Sequence, residues 1–414
     1  MPASEEVVID APLVESALES LAQYGAYGAT GVWRTAYSPE WQEAQDAVAR
    51  LCEEAGMAVR RDAVGNVWGR LAGREDGPVI ASGSHIDSQT PGGRFDGVLG
   101  VVGAVLAARA LRERYGRPTR TIEVCSLCEE EASRFPSASF WGSRAITGRI
   151  TPEDVEKVLD FQGVSIGDAM RDAGLDPTLI SSAHRNDIDA WIELHIEQGP
   201  RLEDARLPVG IVSAISGIRH YIVDLAGRSD HAGARPMEGR LDAVAGAAEM
   251  VTALINVALE LGPPAVTTVG RVAVVPNLAS AVAEKVTFTL DSRHPDPKTQ
   301  ESMHAQQETT MREIAEKRGL GISWSIPLAL EPCVCDPDLV KILEHAASKQ
   351  EIPFMTMHSG AVHDTQNMAR IARVAMIFVR SKDGRSHTPE EFTSTADAVA
   401  GIRVLASAMY AMAY

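Results

Sequence analysis

A polar, glycine-rich segment lies between two apolar runs early in the chain, and this arrangement limits the folds that the chain can adopt. The run PVIASGS (78–84) leads into GSHIDSQTPGGRFDG (83–97), and VLGVVGAVLAARAL (98–111) follows it. A β-rich run that passes through a polar loop into a helical run is typical of an α/β unit. The polar side chains of the loop need partners, because buried polar groups without partners destabilise a fold.

The same alternation continues through the first half of the chain. Runs of β-rich sequence at 66–71, 78–83, 121–127 and 190–196 alternate with helical periodicity at 10–24, 39–56 and 98–115. A chain of 414 residues is also longer than one typical hydrophobic core requires. We therefore predict an α/β fold with a central mixed sheet flanked by helices.

The pattern changes near residue 211. A strand or hairpin there is followed by a helix, two strand-like runs, a second helix and a last strand, at 240–261, 266–275, 281–291, 297–318 and 321–326. This β–α–β–β–α–β order predicts an inserted α+β domain of the ferredoxin-like type. Helix, strand and helix then follow at 336–349, 373–379 and 393–412. The predicted division is 1–212, 213–328 and 329–414, with the first and last segments forming one domain.

Composition excludes some classes of partner. The formal net charge of −17 argues against nucleic acid and anionic membranes, although a local Arg can still bind a small carboxylate. The longest apolar run, 98–111, is too short to span a membrane. The five cysteines and the acidic start MPASEEVVIDAP favour a cytoplasmic protein without a disulfide framework.

Ionisable residues cluster after the predicted strands. The main clusters contain His85, Asp87 and Asp96; Glu129, Glu130 and Glu131; His195 and Gln198; His363 and Asp364; and His387. We expect the clusters to converge, because sites in open α/β sheets form at the carboxyl ends of strands. Imidazoles and carboxylates suit Zn, Mn, Co or Ni.

The loop glycines suggest how one carboxylate reaches a metal. Gly92, Gly93 and Gly97 form a turn around Asp96. We expect this turn to bring the carboxylate close to a metal, where its two oxygens can bridge two cations about 3.5–4 Å apart.

Each feature taken alone has a simpler interpretation. A single His is usually a core residue, three consecutive Glu usually form a solvated loop, and paired glycines usually mark a turn. Cys125 and Cys128 have the spacing of half a zinc or redox site, but on a strand they point to opposite faces. We therefore expect buried apolar cysteines. The joint occurrence of the clusters is what favours a metal site.

Together, the motifs resemble those of a group of binuclear metallo-amidohydrolases. The group contains N-carbamoyl-L-amino acid hydrolases, allantoate amidohydrolases and β-ureidopropionases, and it is similar in fold to aminoacylase and carboxypeptidase-like zinc peptidases. The resemblance runs from about residue 60 to the C-terminus. It is carried by GSHIDSQTPGGRFDG, EEEASRF, ELHIEQGP, DHAGARPM, PNLAS, DSR, SGAVHD and GRSHTPEEF.

The resemblance implies roles for individual residues. It implies two divalent metal ions per subunit, one held by His85 and His195 or an equivalent pair, the other by Glu131 and His387, with Asp96 as a bridge. The implied catalytic residues are Glu130 as general base, Asp87 as the residue that orients His85, and His231 as the group that polarises the scissile carbonyl. The implied substrate-binding residues are Gln198, Asn277, Arg293, Ser359, Gly360 and His363.

The resemblance also implies an activity. It implies hydrolysis of a linear amide or ureido C–N bond in an N-carbamoyl-L-amino acid or similar small ureido acid, by a water that the metals activate. Allantoate, ureidoglycolate and β-ureidopropionate stay open as substrates, and a dipeptidase or aminoacylase is the nearest alternative. A binding protein without activity would lack a metal ligand or the general base, yet all five ligand residues and Glu130 are present. A purely structural oligomer would leave the clustered acidic residues unexplained. The inserted domain is implied to act as a lid and to form a homodimer.

Overall fold

The computed structural model describes residues 7–414, which form two compact units. The first unit contains the chain up to Ser213 together with Cys335–Met357 and His363–Tyr414. The second contains Ala214–Val334 and His358–Val362. Our division into functional domains at 212 and 328 stays a prediction, because compactness alone does not define a functional domain.

The bounds of the elements are as follows. The strands are β1 (Ala26–Tyr27), β2 (Gly31–Val32), β3 (Ala58–Arg61), β4 (Val67–Leu71), β5 (Val79–His85), β6 (Ile122–Leu127), β7 (Ile188–Ile196), β8 (Val209–Ile215), β9 (Gly217–Ala226), β10 (Val266–Thr268), β11 (Val272–Val275), β12 (Lys285–His294), β13 (Gly321–Leu330), β14 (Cys333–Val334), β15 (Phe354–Ser359) and β16 (Arg373–Val379). The α-helices are α1 (Ala11–Ala22), α2 (Pro39–Glu54), α3 (Val98–Tyr115), α4 (Trp141–Ile146), α5 (Pro152–Lys157), α6 (Ile166–Asp172), α7 (Arg201–Ala205), α8 (Ala243–Leu261), α9 (Pro297–Arg318), α10 (Pro337–Lys349), α11 (Thr365–Met368) and α12 (Thr395–Ala413).

The first unit is built on a mixed sheet with strand order β8-β16-β7-β5-β6-β4-β3, and β15 pairs with β8. Strands β16, β7, β5 and β6 run parallel, whereas β4, β3 and β8 pair antiparallel with their neighbours. Every residue of β5 and β6 is buried, as expected for strands covered on both faces. Helix α3 packs against both β5 and α12. The predicted α/β fold class is therefore confirmed.

The apolar run after the polar loop forms α3. Its residues from Val98 to Ala108 are all buried, so the helix lies within the core rather than at its surface. The predicted order of strand, loop and helix is correct here. The three short helices between β6 and β7 were not predicted, because six or seven residues show too little periodicity to identify a helix.

The second unit has a sheet of order β10-β12-β9-β13, with β11 pairing with β12 and all pairs antiparallel. With α8 and α9 this is the expected ferredoxin-like arrangement. Its core includes Tyr221, Met250 and Phe288. The strand predicted at 266–275 is wrong in one respect, because it is two strands that break around Gly270. The strand predicted from 281 begins only at Lys285.

Two helices in residues 7–414 are long and apolar enough to cross a membrane by length and composition alone, namely α8 and α12. Most of α12 is buried in the first unit, as in the core helix of a globular domain. Helix α8 covers the sheet of the second unit with one face, and its other face carries exposed apolar side chains, including Leu259.

All five cysteines are buried, which includes Cys125 and Cys128 as the sequence predicted. Burial raises the pKa values of the Cys125 and Cys128 thiols well above that of an ordinary cysteine. Because thiols bind metal as thiolates, these two residues are poor metal ligands.

Candidate active site

The predicted metal ligands meet at one edge of the first unit's sheet. His85 ends β5, Glu131 follows β6, His195 lies near the end of β7, and His387 follows β16. These four strands are parallel neighbours, so their carboxyl ends share one edge. Asp96 reaches the same place from the turn that precedes α3.

Three of these residues form a first group of ligand atoms. Nε2 of His85 and Nε2 of His195 lie 3.4 and 3.2 Å from the same oxygen of Asp96, Oδ1. The three ligand atoms all lie within 4.8 Å of one another, and all three residues are buried. This spacing can hold one cation.

A second group uses the other oxygen of the same carboxylate. Oδ2 of Asp96 is 3.7 Å from Nε2 of His387, which is 3.5 Å from Oε2 of Glu131. These ligand atoms also lie within 4.8 Å of one another. The two groups share Asp96, and their nitrogen and oxygen donors are those that divalent transition metals prefer. The residues therefore fit divalent cations.

Hydrogen bonds fix the orientation of the two buried imidazoles. Nδ1 of His85 lies 3.1 Å from the carbonyl oxygen of Asp87, and Nδ1 of His195 lies 2.9 Å from the carbonyl oxygen of Ile196. A proton on each Nδ1 would donate to these carbonyls and leave a lone pair on Nε2 for a metal.

Asp87 has two contacts near the ligands. Its backbone carbonyl lies closer to His85 than its carboxylate does, since Oδ1 is 3.7 Å from Nδ1. The other carboxylate oxygen, Oδ2, accepts the N–H of Glu131 at 3.0 Å. Asp87 thus contacts one residue from each ligand group.

Glu130 lies beside the first group, with Oε2 3.9 Å from Nε2 of His85. Burial raises the pKa of this carboxyl well above its usual value, although the charge of His85 opposes the shift. Asp96 behaves oppositely: burial raises its pKa, but His195 and His85 outweigh that effect and bring it well below the usual value. Neighbouring acids with such different environments can perform different chemical tasks.

Two further predicted residues contact this centre. Nε2 of Gln198 donates to Oδ2 of Asp96 at 2.7 Å, so the amide is bonded to the shared carboxylate. The ring of His363 packs edge-on against His195, with centroids 4.7 Å apart. Burial and the neighbouring His195 hold the pKa of His363 well below its ordinary value, which favours a neutral ring.

In a third possible group, formed by Glu193, His195 and His363, both oxygens of the Glu193 carboxylate already accept hydrogen bonds. Oε1 of Glu193 accepts from the Ser84 hydroxyl at 2.7 Å, and Oε2 accepts from the Thr365 hydroxyl at 2.6 Å. Glu193 therefore supports the sheet edge rather than offering a free ligand.

The other predicted residues belong to the second unit. His231 is exposed, and its Nδ1 accepts the N–H groups of Gly233 and Ala234 at 3.1 Å each. Asn277 is exposed, with a φ of +58°. The side chain of Ser359 donates to the carbonyl of Ala361 at 2.8 Å.

Arg293 is held on two sides within the second unit. Its Nε and Nη2 bond both oxygens of Asp291 at 2.9 Å, and Nη1 donates to the carbonyl of Gly360 at 3.0 Å. Burial raises the pKa of Asp291, but the bonds from His220 and Arg293 lower it to about 2 overall.

Sequence reasoning missed three residues of the first unit that contact the ligands. Ser386 donates to Oδ2 of Asp96 at 2.5 Å, and Gln89 donates to Oε2 of Glu131 at 2.8 Å. Glu391 accepts the backbone N–H of Asp96 at 2.9 Å. Burial and the charge of Asp96 raise the pKa of Glu391 to about 8. Ser386 and Glu391 flank His387 in GRSHTPEEF, so their position in the motif was an available signal.

Comparison with known proteins identifies the family. Residues 81–411 match Peptidase family M20/M25/M40. The chain is 40% identical over 402 residues to an allantoate amidohydrolase of Escherichia coli (strain K12), covering 97% of this chain and 98% of the relative. It is 37% identical to an N-carbamoyl-L-amino-acid amidohydrolase of Paenarthrobacter aurescens, covering 96% and 97%.

A solved structure agrees with these relatives. The amidase of the hydantoinase/carbamoylase family from Burkholderia multivorans superposes with a TM-score of 0.91 at 34% identity, covering 98% of each chain. The chain therefore belongs to Peptidase family M20/M25/M40, among its hydantoinase/carbamoylase amidases, and is a hydrolase of linear amide C–N bonds.

Proposed function

We propose that this enzyme hydrolyses the ureido C–N bond of a small ureido acid, an N-carbamoyl-L-amino acid or a close analogue such as allantoate, with two divalent metal ions. The observation that carries the proposal is the pair of three-ligand groups sharing Asp96, with Glu130 beside them. The names of the similar proteins support a ureido substrate. Zn, Mn, Co and Ni all suit the donor set.

Glu130 is the proposed general base. Its buried carboxyl, with a raised pKa, suits a group that takes a proton from the attacking water and then delivers it to the leaving nitrogen. Bound divalent metal supplies Lewis acidity, which lowers the pKa of water and polarises a carbonyl. Asp87 and the carbonyl of Ile196 keep His85 and His195 oriented.

His231 is the proposed stabiliser of the developing oxyanion. Because its Nδ1 accepts two backbone N–H groups, the neutral ring carries its proton on Nε2. Nε2–H is then a donor already aimed away from the Gly233 turn. A donor fixed before the reaction stabilises transition-state charge without reorganising.

Arg293 is the proposed binding group for the substrate carboxylate. Asn277, Ser359 and Gly360, which belong to the same unit, are the other substrate-binding residues that we propose there. A guanidinium has five N–H donors, and three of them are used by Asp291 and Gly360. One N–H on each terminal nitrogen therefore stays available, which suits bidentate binding of a carboxylate.

The test combines one substitution with a substrate panel. Glu130→Gln is expected to keep the bound metal and to lower kcat by about 10²–10⁴-fold, because the amide cannot take the proton. Glu390→Gln is the matched control, since this acid lies in another loop, is exposed and pairs with Arg385. Near-wild-type turnover by Glu130→Gln with its metals bound would contradict the assignment.

The panel separates the remaining substrates. Ammonia release is measured from N-carbamoyl amino acids, allantoate, ureidoglycolate and β-ureidopropionate. Release of free amino acid is measured from dipeptides and N-acyl amino acids, whose hydrolysis gives no ammonia. Each metal is loaded in turn. We expect turnover of ureido acids; efficient cleavage of dipeptides alone would instead establish the dipeptidase alternative.

We also propose that the second unit forms a homodimer. Its α8 and strands β10 and β11 carry large exposed apolar side chains: Ile255, Leu259, Leu261, Val266, Val272 and Val275. Exposed apolar clusters of this kind mark interaction surfaces. Leu259→Glu is expected to give monomers in sedimentation velocity, whereas Glu313→Arg on α9 is expected to leave the dimer intact. A monomeric wild type would exclude the proposal.

We propose that the enzyme is cytoplasmic, because its five cysteines are buried and form no disulfide, which suits a reducing compartment.

A further inference from the structure

Glu391 is a buried acid with no assigned role in the reaction. Its side chain is 3% exposed, although it lies in the loop that carries His387. Oε1 accepts two backbone N–H groups, those of Phe95 and Asp96, each at 2.9 Å. One oxygen thus holds the turn that presents the carboxylate shared by both ligand groups.

The second oxygen of Glu391 reaches the same carboxylate through a hydroxyl. Ser386 lies 3.1 Å from Oε2 of Glu391 and donates to Oδ2 of Asp96 at 2.5 Å. Asp96 is therefore held at its backbone N–H and at one carboxylate oxygen by two residues of one loop. This double attachment restricts the rotation of the carboxylate as well as its position.

Neighbouring residues make room for this attachment. A Cβ on Gly93 would lie 2.2 Å from Oε1 of Glu391, so only glycine at this position admits the carboxylate. The rings of Phe95 and Phe392 pack edge to face, with centroids 5.8 Å apart. The turn and the loop therefore fit each other along several consecutive residues.

We propose that Glu391 is a positioning residue, which fixes the Asp96 carboxylate in the orientation that serves both ligand groups and thereby sets the affinity for divalent metal. The inference rests on the proposed metal site. The alternative is that Glu391 only closes the loop during folding. The positioning role and the folding role differ in one outcome. Only the positioning role predicts that a folded, metal-free Glu391 variant binds metal more weakly than wild type.

The experiment titrates metal-free protein with Mn²⁺ by calorimetry, and the bound metal is counted separately. Glu391→Ala is expected to bind Mn²⁺ about 10–100-fold more weakly, the usual effect of removing a residue that supports metal ligands. Glu391→Gln is expected to restore binding close to wild type. Its amide oxygen can accept both N–H groups, and its NH₂ can donate to Ser386, whose hydroxyl still donates to Asp96.

Glu390→Ala is the matched control. This adjacent acid is exposed and bonds only residues of its own loop, Thr388 and Arg385. The Glu390→Ala variant is expected to bind Mn²⁺ with the affinity of the wild type. The thermal unfolding of each metal-free variant shows whether the fold is intact.

The outcomes are distinct. Wild-type Mn²⁺ affinity in folded Glu391→Ala overturns the inference, whereas failure of the wild type itself to bind Mn²⁺ overturns the proposed metal site. If Glu391→Ala does not fold, Glu391→Asp decides. The shorter side chain keeps the carboxyl group but cannot reach both N–H groups, so weakened binding supports the inference and unchanged binding overturns it.

Discussion

Gly97→Ala is expected to remove metal binding through a single methyl group. A Cβ at this position would lie 2.5 Å from Nε2 of His85 and 2.6 Å from two ring carbons, whereas ordinary contact begins at 3.4 Å. The imidazole would have to move by about 1 Å. In catalytic sites a misplacement of this size lowers the rate on the order of 100-fold, and we expect a loss of similar size in metal affinity. The backbone of His85 cannot follow, because β5 is bonded on both sides by β6 and β7.

The substitution also strains the backbone. Gly97 has a φ of +64°, where a side chain costs about 1–3 kcal/mol. Gly116, at the other end of α3, has a φ of +77° and nothing within 4 Å of its Cβ position. Gly116→Ala therefore reproduces the strain without the contact to His85.

The assay compares both variants by Mn²⁺ titration and urea unfolding. We expect both to lose about 1–3 kcal/mol of stability and only Gly97→Ala to lose Mn²⁺ affinity. Equal Mn²⁺ affinity in Gly97→Ala and wild type would refute the reasoning, because the displaced imidazole would then not be a ligand.

Three further changes test other parts of the structure. Arg34 is buried and its guanidinium donates to the carbonyls of Leu21, Tyr24 and Ile86, so Arg34→Met is expected to lower the unfolding free energy in urea by about 3 kcal/mol. Burial lowers the pKa of His304 to about 4, against about 6.5 in the unfolded chain. The part of the unfolding free energy that comes from burying neutral His304 is complete above pH 6.5 and is lost as the pH falls towards 4. His304→Leu is therefore expected to make the unfolding free energy, measured in urea, depend less on pH between 6.5 and 4. Arg293→Lys is expected to raise KM at least about tenfold with little change in kcat, because a lysine cannot replace the bidentate contacts; unchanged KM would exclude it from carboxylate binding.

The sequence predicted the clusters of the site well because strand ends are easily recognised. His85 is the last residue of β5 and His195 the last but one of β7, and parallel strands bring such ends together. The pairing of ligands around Asp96 came from the resemblance, since sequence order contains no distances. The motif GRSHTPEEF indicated that residues near His387 contribute to the site, but not which of its two glutamates binds the backbone of Asp96. Glu390 and Glu391 are the same residue type, and only the folded loop distinguishes the buried one.

The elements that escaped prediction share a physical cause. The strand β15 and the helices α4, α5 and α6 are short, and their apolar residues are too few to define a period. The break between β10 and β11 depends on one glycine within an otherwise β-rich run. In the short elements, tertiary contacts rather than local preference determine the structure.

The attachment of Glu391 to Asp96 joins residues 295 positions apart in the chain. Residues near the C-terminus therefore complete a candidate site whose first proposed ligand, His85, is synthesised early. During translation, at about 5–20 residues per second, the growing chain exposes His85, Asp96 and Glu131 before their remaining partners exist. In the proposed metal site, loading of the finished centre would follow synthesis of the loop that carries His387 and Glu391, after nearly all of the 414 residues.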